Sequence, residues 1–296
     1  MRTIKTNIDF LSKTKLTSAF SMFIIILGIV SLLLNKWPNL SIDFTGGTII
    51  QILFNENIEI TNIRGSLEKT SLNNSEIIQF GKKNEFRIKT NINSDSNELS
   101  KLLVNSFPNR EVQIRRIENV GPKIGGELQI QALYAIALAL VMLMIYIGLR
   151  FNLFYSLGSV VAIIHDVLIT LGVFSLFNLE IDLSIIAAFL TIVGYSLNDT
   201  IVIFDRFREN IGKDLKLSME EIVNLSLNQT LSRTIITSLT TLVVVVILFI
   251  WGGEVIKYFA FALIIGVLTG TYSSIFVASP FMLYLSSKYP MGDKGE

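Results

Sequence analysis

The sequence contains no cysteine and only one histidine among its 296 residues. Without cysteine the chain can form no disulfide and offers neither a thiol nucleophile nor a thiolate metal ligand. A single histidine excludes a histidine-rich metal site. The G-x-x-x-x-G-K-[ST] loop that binds nucleotide phosphates is also absent, and the net charge of +1 gives no indication of nucleic-acid binding. These absences favour a protein that is not an enzyme and uses neither a metal nor a cofactor.

Charged residues are scarce as well, at 17% of the chain, whereas soluble domains carry about 25%. Long apolar runs account for the deficit, and each is close to the ~20 residues that cross a bilayer core as a helix. The first run follows a basic start but precedes no small-x-small cleavage site, so it is predicted to remain as an anchor. The six predicted spans are Leu16–Leu34, Ile130–Leu149, Phe154–Phe177, Leu183–Phe204, Leu231–Trp251 and Tyr258–Leu285.

Basic residues near the ends of the spans predict the orientation of the chain in the membrane. Four precede or begin the first span, and four more lie between spans four and five. The two short loops on the opposite side contain one basic residue, Lys257. Both termini are therefore predicted to be cytoplasmic.

A polar segment, residues 35–129, separates the first two spans and holds 23 of the 49 charged residues. Its strand patterns, "GTIIQILF", "SEIIQF", "NEFRIKT" and "REVQIRRI", alternate with predicted helices near Ile60–Leu72 and Ser96–Ser106. The order β-α-β-β-α-β is that of a ferredoxin-like domain. For "DFTGG", Asp43 to Gly47, a glycine turn feeding the first strand is favoured over a loop that contacts another segment.

These patterns predict a polytopic α-helical membrane protein with six transmembrane helices. A small α+β, ferredoxin-like extracytoplasmic domain lies between helices 1 and 2. Residues 1–34 form the cytoplasmic N-terminus and the first helix, and residues 35–129 form the extracytoplasmic domain. Residues 130–287 contain the other five helices, and residues 288–296 form a cytoplasmic tail.

Four ionisable residues lie inside predicted spans, where such groups are costly and usually mark function. They are His165 and Asp166 in the third span, Asp199 in the fourth and Arg233 in the fifth. At about 100° per residue, three of them share a helix face with other polar residues. The three polar seams are Ser159, Asp166 and Thr170; Thr191, Tyr195, Asn198 and Asp199; and Arg233, Thr237, Thr240 and Thr241.

Spans four and five are antiparallel neighbours, so Asp199 and Arg233 can reach a similar depth and could pair. One interpretation is a structural ion pair that fixes helix register. The favoured one is a proton-carrying pair, because the proton affinity of a carboxylate depends on its distance from a guanidinium. For Asp166 a role in proton movement and a structural role are balanced. For His165 a ring satisfied by a backbone carbonyl is favoured over proton movement.

Two further patterns predict packing and helix boundaries. Small residues recur every four positions in the sixth span, an arrangement that lets helices approach closely, either within this chain or with another protein. They are Ala262, Gly266, Gly270, Ser274 and Ala278. The segment "SMEE", Ser218 to Glu221, matches a capping box and predicts the start of a surface helix that leads into the fifth span.

Five segments in order resemble the SecF family of the bacterial SecDF protein-export complex. They are "IDFTGG", "ENVGPKIGGEL", "IIHDVLITLGVFSLF", "GYSLNDTIVIFDRFREN" and "NQTLSRTIITSLTT". The family belongs to the resistance-nodulation-division superfamily, and the resemblance covers nearly the whole chain. Its key intramembrane aspartate and arginine fall on Asp199 and Arg233, which implies that this pair translocates protons.

The resemblance also implies a location and partners. It implies a multi-pass protein of the bacterial inner membrane that works with a six-span SecD-like protein beside the SecYEG channel. Together they would use the proton-motive force to promote export of preproteins, and YajC is a further candidate partner. Two alternatives are a half-transporter of the same superfamily for a small molecule or lipid, and a membrane scaffold without transport. The small external domain and "DFTGG" argue against the half-transporter, and the scaffold predicts that neutralising Asp199 leaves activity intact.

Overall fold

The computed structural model describes residues 7–92, 95–108, 110–213 and 216–288, apart from the side chain of Glu254. Six helical segments in this part of the chain are long and apolar enough to cross a membrane, as predicted. The second extends beyond its apolar run, because its helix begins at Pro122 rather than at Ile130. Arg2 and Lys5 of the basic start, and the predicted tail from residue 289 onward, lie outside the described residues.

One small α+β unit is inserted between the first and second long helices, and the long helices together form a bundle. In chain order the elements are α1 (Thr14–Leu34), α2 (Ile42–Thr45), β1 (Gly47–Phe54), α3 (Ile60–Leu67), β2 (Glu76–Gln79), β3 (Glu85–Thr90), α4 (Ser96–Ser106), β4 (Val112–Val120), α5 (Pro122–Arg150), α6 (Leu153–Leu176), α7 (Leu183–Ile211), α8 (Met219–Trp251), α9 (Glu254–Ser273), a π-helical turn (Ser274–Ala278) and α10 (Ser279–Lys288).

The sheet domain, residues 35–121, has the predicted β-α-β-β-α-β order, preceded by the short α2. Its four antiparallel strands lie in the order β2-β3-β1-β4. Ile50 stands opposite Ile88 on one side and Ile117 on the other, so apolar side chains share one sheet face. Helices α3 and α4 cover that face through Leu67 and Leu103, which closes a separate apolar core. The predicted ferredoxin-like arrangement is confirmed.

Burial divides the helical bundle into inner and outer helices. Half of the most apolar window of α7 is buried, and 56% of that of α6. The corresponding values are 6% for α5 and 11% for α8. The outer faces of α5 and α8 therefore remain available to lipid or to another protein.

Glycine allows the inner helices to approach closely. A methyl group on Gly28 of α1 would lie 2.8 Å from Cα of Gly172 in α6, so neither position has room for a side chain. On α9, a methyl group on Gly270 would lie 3.0 Å from Cβ of Ser196 in α7. The small-residue ladder of the sixth span thus packs within this chain, against α7.

The capping box at Ser218 is also confirmed. Its hydroxyl accepts a hydrogen bond from the Glu221 amide, and the Glu221 carboxylate accepts one from the Ser218 amide. The helix that starts there is continuous with the fifth span rather than a separate surface helix, since α8 runs unbroken to Trp251.

The segment that contains "DFTGG" ties the sheet domain to the bundle. Leu40 and Ile181 form a short parallel bridge, in which the amide of the next residue, Ser41, donates to the Ile181 carbonyl at 2.9 Å. In the next turn, the Leu183 amide at the start of α7 donates to Oδ2 of Asp43 at 3.1 Å. The motif therefore contacts another segment, and its interpretation as a local turn alone was wrong.

The two glycines of the motif permit a further contact, with the start of α5. Both have positive φ, +73° at Gly46 and +138° at Gly47, in a region that favours glycine. A methyl group on Gly46 would lie 2.8 Å from Cα of Pro122, and one on Gly125 would lie 2.8 Å from the Phe44 carbonyl oxygen. The turn into β1 and the first turn of α5 are thus in backbone contact.

Candidate functional site

Asp199 lies where α7, α8 and α9 meet, and it is only 3% exposed. Ser238 of α8 donates a hydrogen bond to its Oδ2 at 3.5 Å, the outer limit for such a bond. The same hydroxyl lies 2.6 Å from Oγ1 of Thr271 in α9. Among the described residues, this long bond is the one hydrogen bond made to the Asp199 side chain. The carboxyl group is therefore buried but weakly held.

Arg233 does not contact Asp199 directly in this conformation. It is exposed and lines an open cleft between α7 and α8, together with Asn198, Val202 and Gln229. No ion pair joins the two side chains in the part of the chain that the structure describes. Arg233 still acts electrostatically on the Asp199 carboxyl group. The cleft opens at the end of the bundle that is away from the sheet domain.

The predicted polar seam of α8 faces outward. Thr237 is partly buried and Thr240 is exposed, and each hydroxyl donates to a main-chain carbonyl of its own helix. Asn198 of α7 is exposed as well. The α8 residue that reaches Asp199 is Ser238, which sequence reasoning missed because it belongs to a different face of the helix.

Two buried hydroxyls beside this site have no hydrogen-bond partner among the described residues. They are the hydroxyl groups of Tyr195, one helical turn before Asp199, and of Thr234, one turn before Ser238. Buried polar groups are normally paired with protein or with ordered water. The surroundings of Asp199 thus hold spare hydrogen-bonding capacity, which suits a group that changes its protonation state.

Asp166 forms a second, more tightly bonded site. Its side chain is fully buried, with 0% exposure. Oδ2 accepts hydrogen bonds from Ser196 of α7 at 2.6 Å and from Ser273 of α9 at 2.7 Å. Oδ1 lies 2.9 Å from Nδ1 of His165. Three groups from three helices thus hold one carboxyl group.

His165 extends the second site to α1. Its Nε2 lies 3.0 Å from Oγ of Ser21, and the ring stacks on Tyr272 with centroids 5.9 Å apart. The Tyr272 hydroxyl lies 3.0 Å from the same Ser21 oxygen. Side chains, rather than the backbone carbonyl favoured from the sequence, satisfy the imidazole.

Helix α9 supplies hydroxyls to both sites, although its predicted span from Tyr258 onward contains no charged residue. Thr271 reaches the Asp199 site and Ser273 reaches Asp166, and Ser274 lies 2.8 Å from Oγ1 of Thr200 on α7. Ser274 also begins the π-helical turn, and such turns are frequent at functional sites. In the sequence, the run of hydroxyl-bearing residues directly after Gly270 indicates this role. It was missed because the segment was interpreted only as a packing surface.

The fold and the two sites define a polytopic membrane protein of the transporter type, with carboxyl groups buried between its helices. Residues 100–288 match the family model "Protein export membrane protein SecD/SecF, C-terminal", and residues 31–57 match the "SecD/SecF GG Motif". The second match contains the "DFTGG" segment that meets α5 and α7.

Similar proteins agree with these matches. The chain is 43% identical over 287 residues to protein translocase subunit SecF of Thermodesulfovibrio yellowstonii, which covers 95% of each chain. It is 46% identical over 292 residues to the same subunit of Rhodothermus marinus, covering 95% of this chain and 94% of that one. The chain therefore belongs to the SecF family of protein translocase subunits.

Two solved structures share the fold. The crystal structure of SecDF from Thermus thermophilus, a translocon-associated membrane protein, matches with 36% identity and a TM-score of 0.87. SecDF in its super-membrane-facing form matches with 35% identity and a TM-score of 0.73. Each match covers 97% of this chain but only 40% of the SecDF chain.

Proposed function

We propose that the chain works as a subunit of the accessory complex of the Sec protein translocase. With a SecD-like partner it uses the proton-motive force to promote export of preproteins through the SecYEG channel. The observation that carries this proposal is the fit of 97% of the chain, at a TM-score of 0.87, to a translocon-associated SecDF protein. YajC is a further candidate member of the assembly.

The outer face of α8 supports a membrane-embedded partner. Arg233 and Thr240 are exposed on a helix whose most apolar window is only 11% buried within the chain. A guanidinium group that faces lipid is costly, so such groups normally face protein or water. Transporter folds of this kind pair two related halves. A SecD-like protein with six helices of its own would cover this face and shelter the cleft.

Asp199 is the group best placed to carry protons. Its carboxyl group is buried, keeps one long hydrogen bond to Ser238 and lies within the electrostatic reach of Arg233. A change in the position of α7 relative to α8 would change both interactions and hence the proton affinity of the carboxyl group. Asp166 and His165 are secondary candidates, and the three short bonds to Asp166 favour a role in holding helices together.

The export proposal is tested by dependence on the partner. Native chain extracted from membranes is expected to co-purify with a SecD-like protein. Reconstituted with that partner and SecYEG, it should raise the yield of exported preprotein only when a proton gradient is present. The chain alone should move no protons in liposomes, because half of the assembly is missing. Gradient-driven proton movement by the isolated chain would contradict the proposal.

We infer that residues 35–129 lie outside the cytoplasm. Residues 1–34 then start in the cytoplasm and cross the membrane once, the five helices of residues 130–287 cross it five more times, and the tail of residues 288–296 is cytoplasmic. The distribution of basic residues supports this orientation. The absence of cysteine provides a clean background for labelling. Lys82→Cys should react with an impermeant thiol reagent in intact cells, and Lys213→Cys only after permeabilisation; both native side chains are exposed. Labelling of position 213 in intact cells would contradict this orientation.

A further inference from the structure

We propose that Asp43 is a positioning residue that ties the sheet domain to the helix that carries Asp199. The idea rests on the proposed function, in which Asp199 carries protons. The contact is specific: the first amide of α7, that of Leu183, donates to Oδ2 of Asp43 at 3.1 Å. Asp43 belongs to α2, which leads directly into β1 of the sheet domain.

The attachment has more than one contact, so a movement of the domain is transmitted rather than absorbed. Ile181, two residues before α7, donates from its amide to the Asn39 carbonyl at 2.7 Å. Lys89 of β3 forms an ion pair with Glu180, and the two side chains are 14% and 29% exposed. The sheet domain therefore contacts the loop before α7 both through the segment before β1 and through β3.

A continuous apolar core carries the contact into the membrane-spanning part. Phe44 shares one buried cluster with Ile185, Phe189 and Ile192 of α7. Asp199 follows Ile192 by seven residues, about 10 Å along the helix. Packed cores of this density resist gradual deformation. A displacement of the domain end of α7 is thus expected to shift Asp199 as well.

The two solved SecDF structures differ in their similarity to this chain. The two SecDF structures cover the same 97% of this chain at nearly equal identity, but their TM-scores to it are 0.87 and 0.73. The chain therefore resembles the first form more than the super-membrane-facing one.

The same helix end offers a matched control. Asp182 also caps α7, with Oδ1 accepting from the Ile185 amide at 3.0 Å, but it lies in the bundle and makes no link to the sheet domain in its described hydrogen bonds. Asp43 and Asp182 are both partly buried. Asp43→Ala and Asp182→Ala each remove one cap from α7, and only the first removes a hydrogen bond between the sheet domain and this helix.

The test measures the site end of α7 directly. A single cysteine, Val202→Cys, lies in the cleft beside Arg233, three residues after Asp199. Its rate of reaction with a thiol reagent is measured in native membranes that contain the full complex, with and without a proton gradient. In the parent, the gradient should change the rate several-fold. Asp43→Ala should lose a measurable part of that change, because the other contacts between the domain and α7 remain, whereas Asp182→Ala and Asp43→Asn, which keeps an acceptor oxygen, should retain it in full.

The outcomes separate this inference from the proposed function. An unchanged gradient response in Asp43→Ala, or an equal loss in Asp182→Ala, would show that Asp43 only caps the helix. A parent without any gradient response would instead overturn the proposed proton-driven cycle, and the coupling with it. If Asp43→Ala does not accumulate, Asp43→Ser replaces it, because the serine side chain remains polar but is one atom shorter than the carboxylate that reaches the Leu183 amide.

Discussion

Replacement of Asp199 by asparagine is expected to abolish the gradient-dependent part of preprotein export while the protein accumulates normally. Asparagine keeps the size of the side chain and can still accept the Ser238 hydrogen bond, so the meeting point of α7, α8 and α9 should persist. Its amide group neither releases nor binds a proton near neutral pH. The measurement is export of a reporter preprotein into inverted membrane vesicles, with and without a proton gradient.

Two further variants make the result specific. Asp95→Asn introduces the same chemical change at the exposed N-cap residue of α4, whose side chain makes no capping hydrogen bond, and it should leave export unchanged. Arg233→Lys keeps the positive charge but loses the planar, delocalised guanidinium, so a partial defect is expected. Full gradient-dependent export by Asp199→Asn would make Asp199 a structural partner and contradict its role in proton movement, and export that is intact but independent of the gradient would support the non-transporting scaffold. Normal export combined with a lost resistance to small molecules would support the half-transporter.

The fold was predictable because its signals are local and periodic. Apolar runs of about 20 residues mark the spans, and period-two alternation in "NEFRIKT" marks β3, which the structure places at Glu85–Thr90. The end of α3 was placed too late, at Leu72 rather than Leu67. After Leu67 the chain forms turns, and the buried Leu72 that suggested a longer helix instead fills the core of the sheet domain.

The site was predictable only in part, because hydrogen-bond partners depend on how helices are rotated against each other. Asp199 stands out in the sequence as a carboxylate inside an apolar run. The choice of Ser238 over Thr237 is made by the packing of α8 against α7 and α9, and the two residues are adjacent in the sequence. Spacing along one helix cannot reveal which of its faces meets a neighbour.

The "DFTGG" segment shows a related limit of local reasoning. Its glycines were correctly expected to form a turn, and both have positive φ. The partner of Asp43 is the Leu183 amide, 140 residues away. No local pattern links the two positions, so the function of the aspartate becomes visible only in three dimensions.

Replacement of Asp166 by alanine is expected to destabilise the bundle, whereas replacement by asparagine should be tolerated. Alanine leaves Ser196, Ser273 and His165 without their shared partner and opens a cavity between α6, α7 and α9. Hydrogen bonds between membrane helices contribute about 0.6 kcal/mol each on average, so the two from Ser196 and Ser273 represent about 1 kcal/mol before the loss of the His165 contact and any cost of the cavity. Thermal unfolding of the purified complex should show a midpoint several degrees lower.

Asparagine at position 166 keeps one carbonyl oxygen and presents an amide in place of the second. Both serine hydroxyls can rotate to accept from that amide, because a hydroxyl is donor and acceptor at once. Asp166→Asn should therefore unfold near the parent midpoint and keep most gradient-driven export. Thr170→Val is the matched control, since Thr170 is buried one turn further along α6 and donates only to the Asp166 main-chain carbonyl among its described hydrogen bonds. A stable Asp166→Ala protein without gradient-driven export would assign Asp166 to the proton path instead of to helix packing.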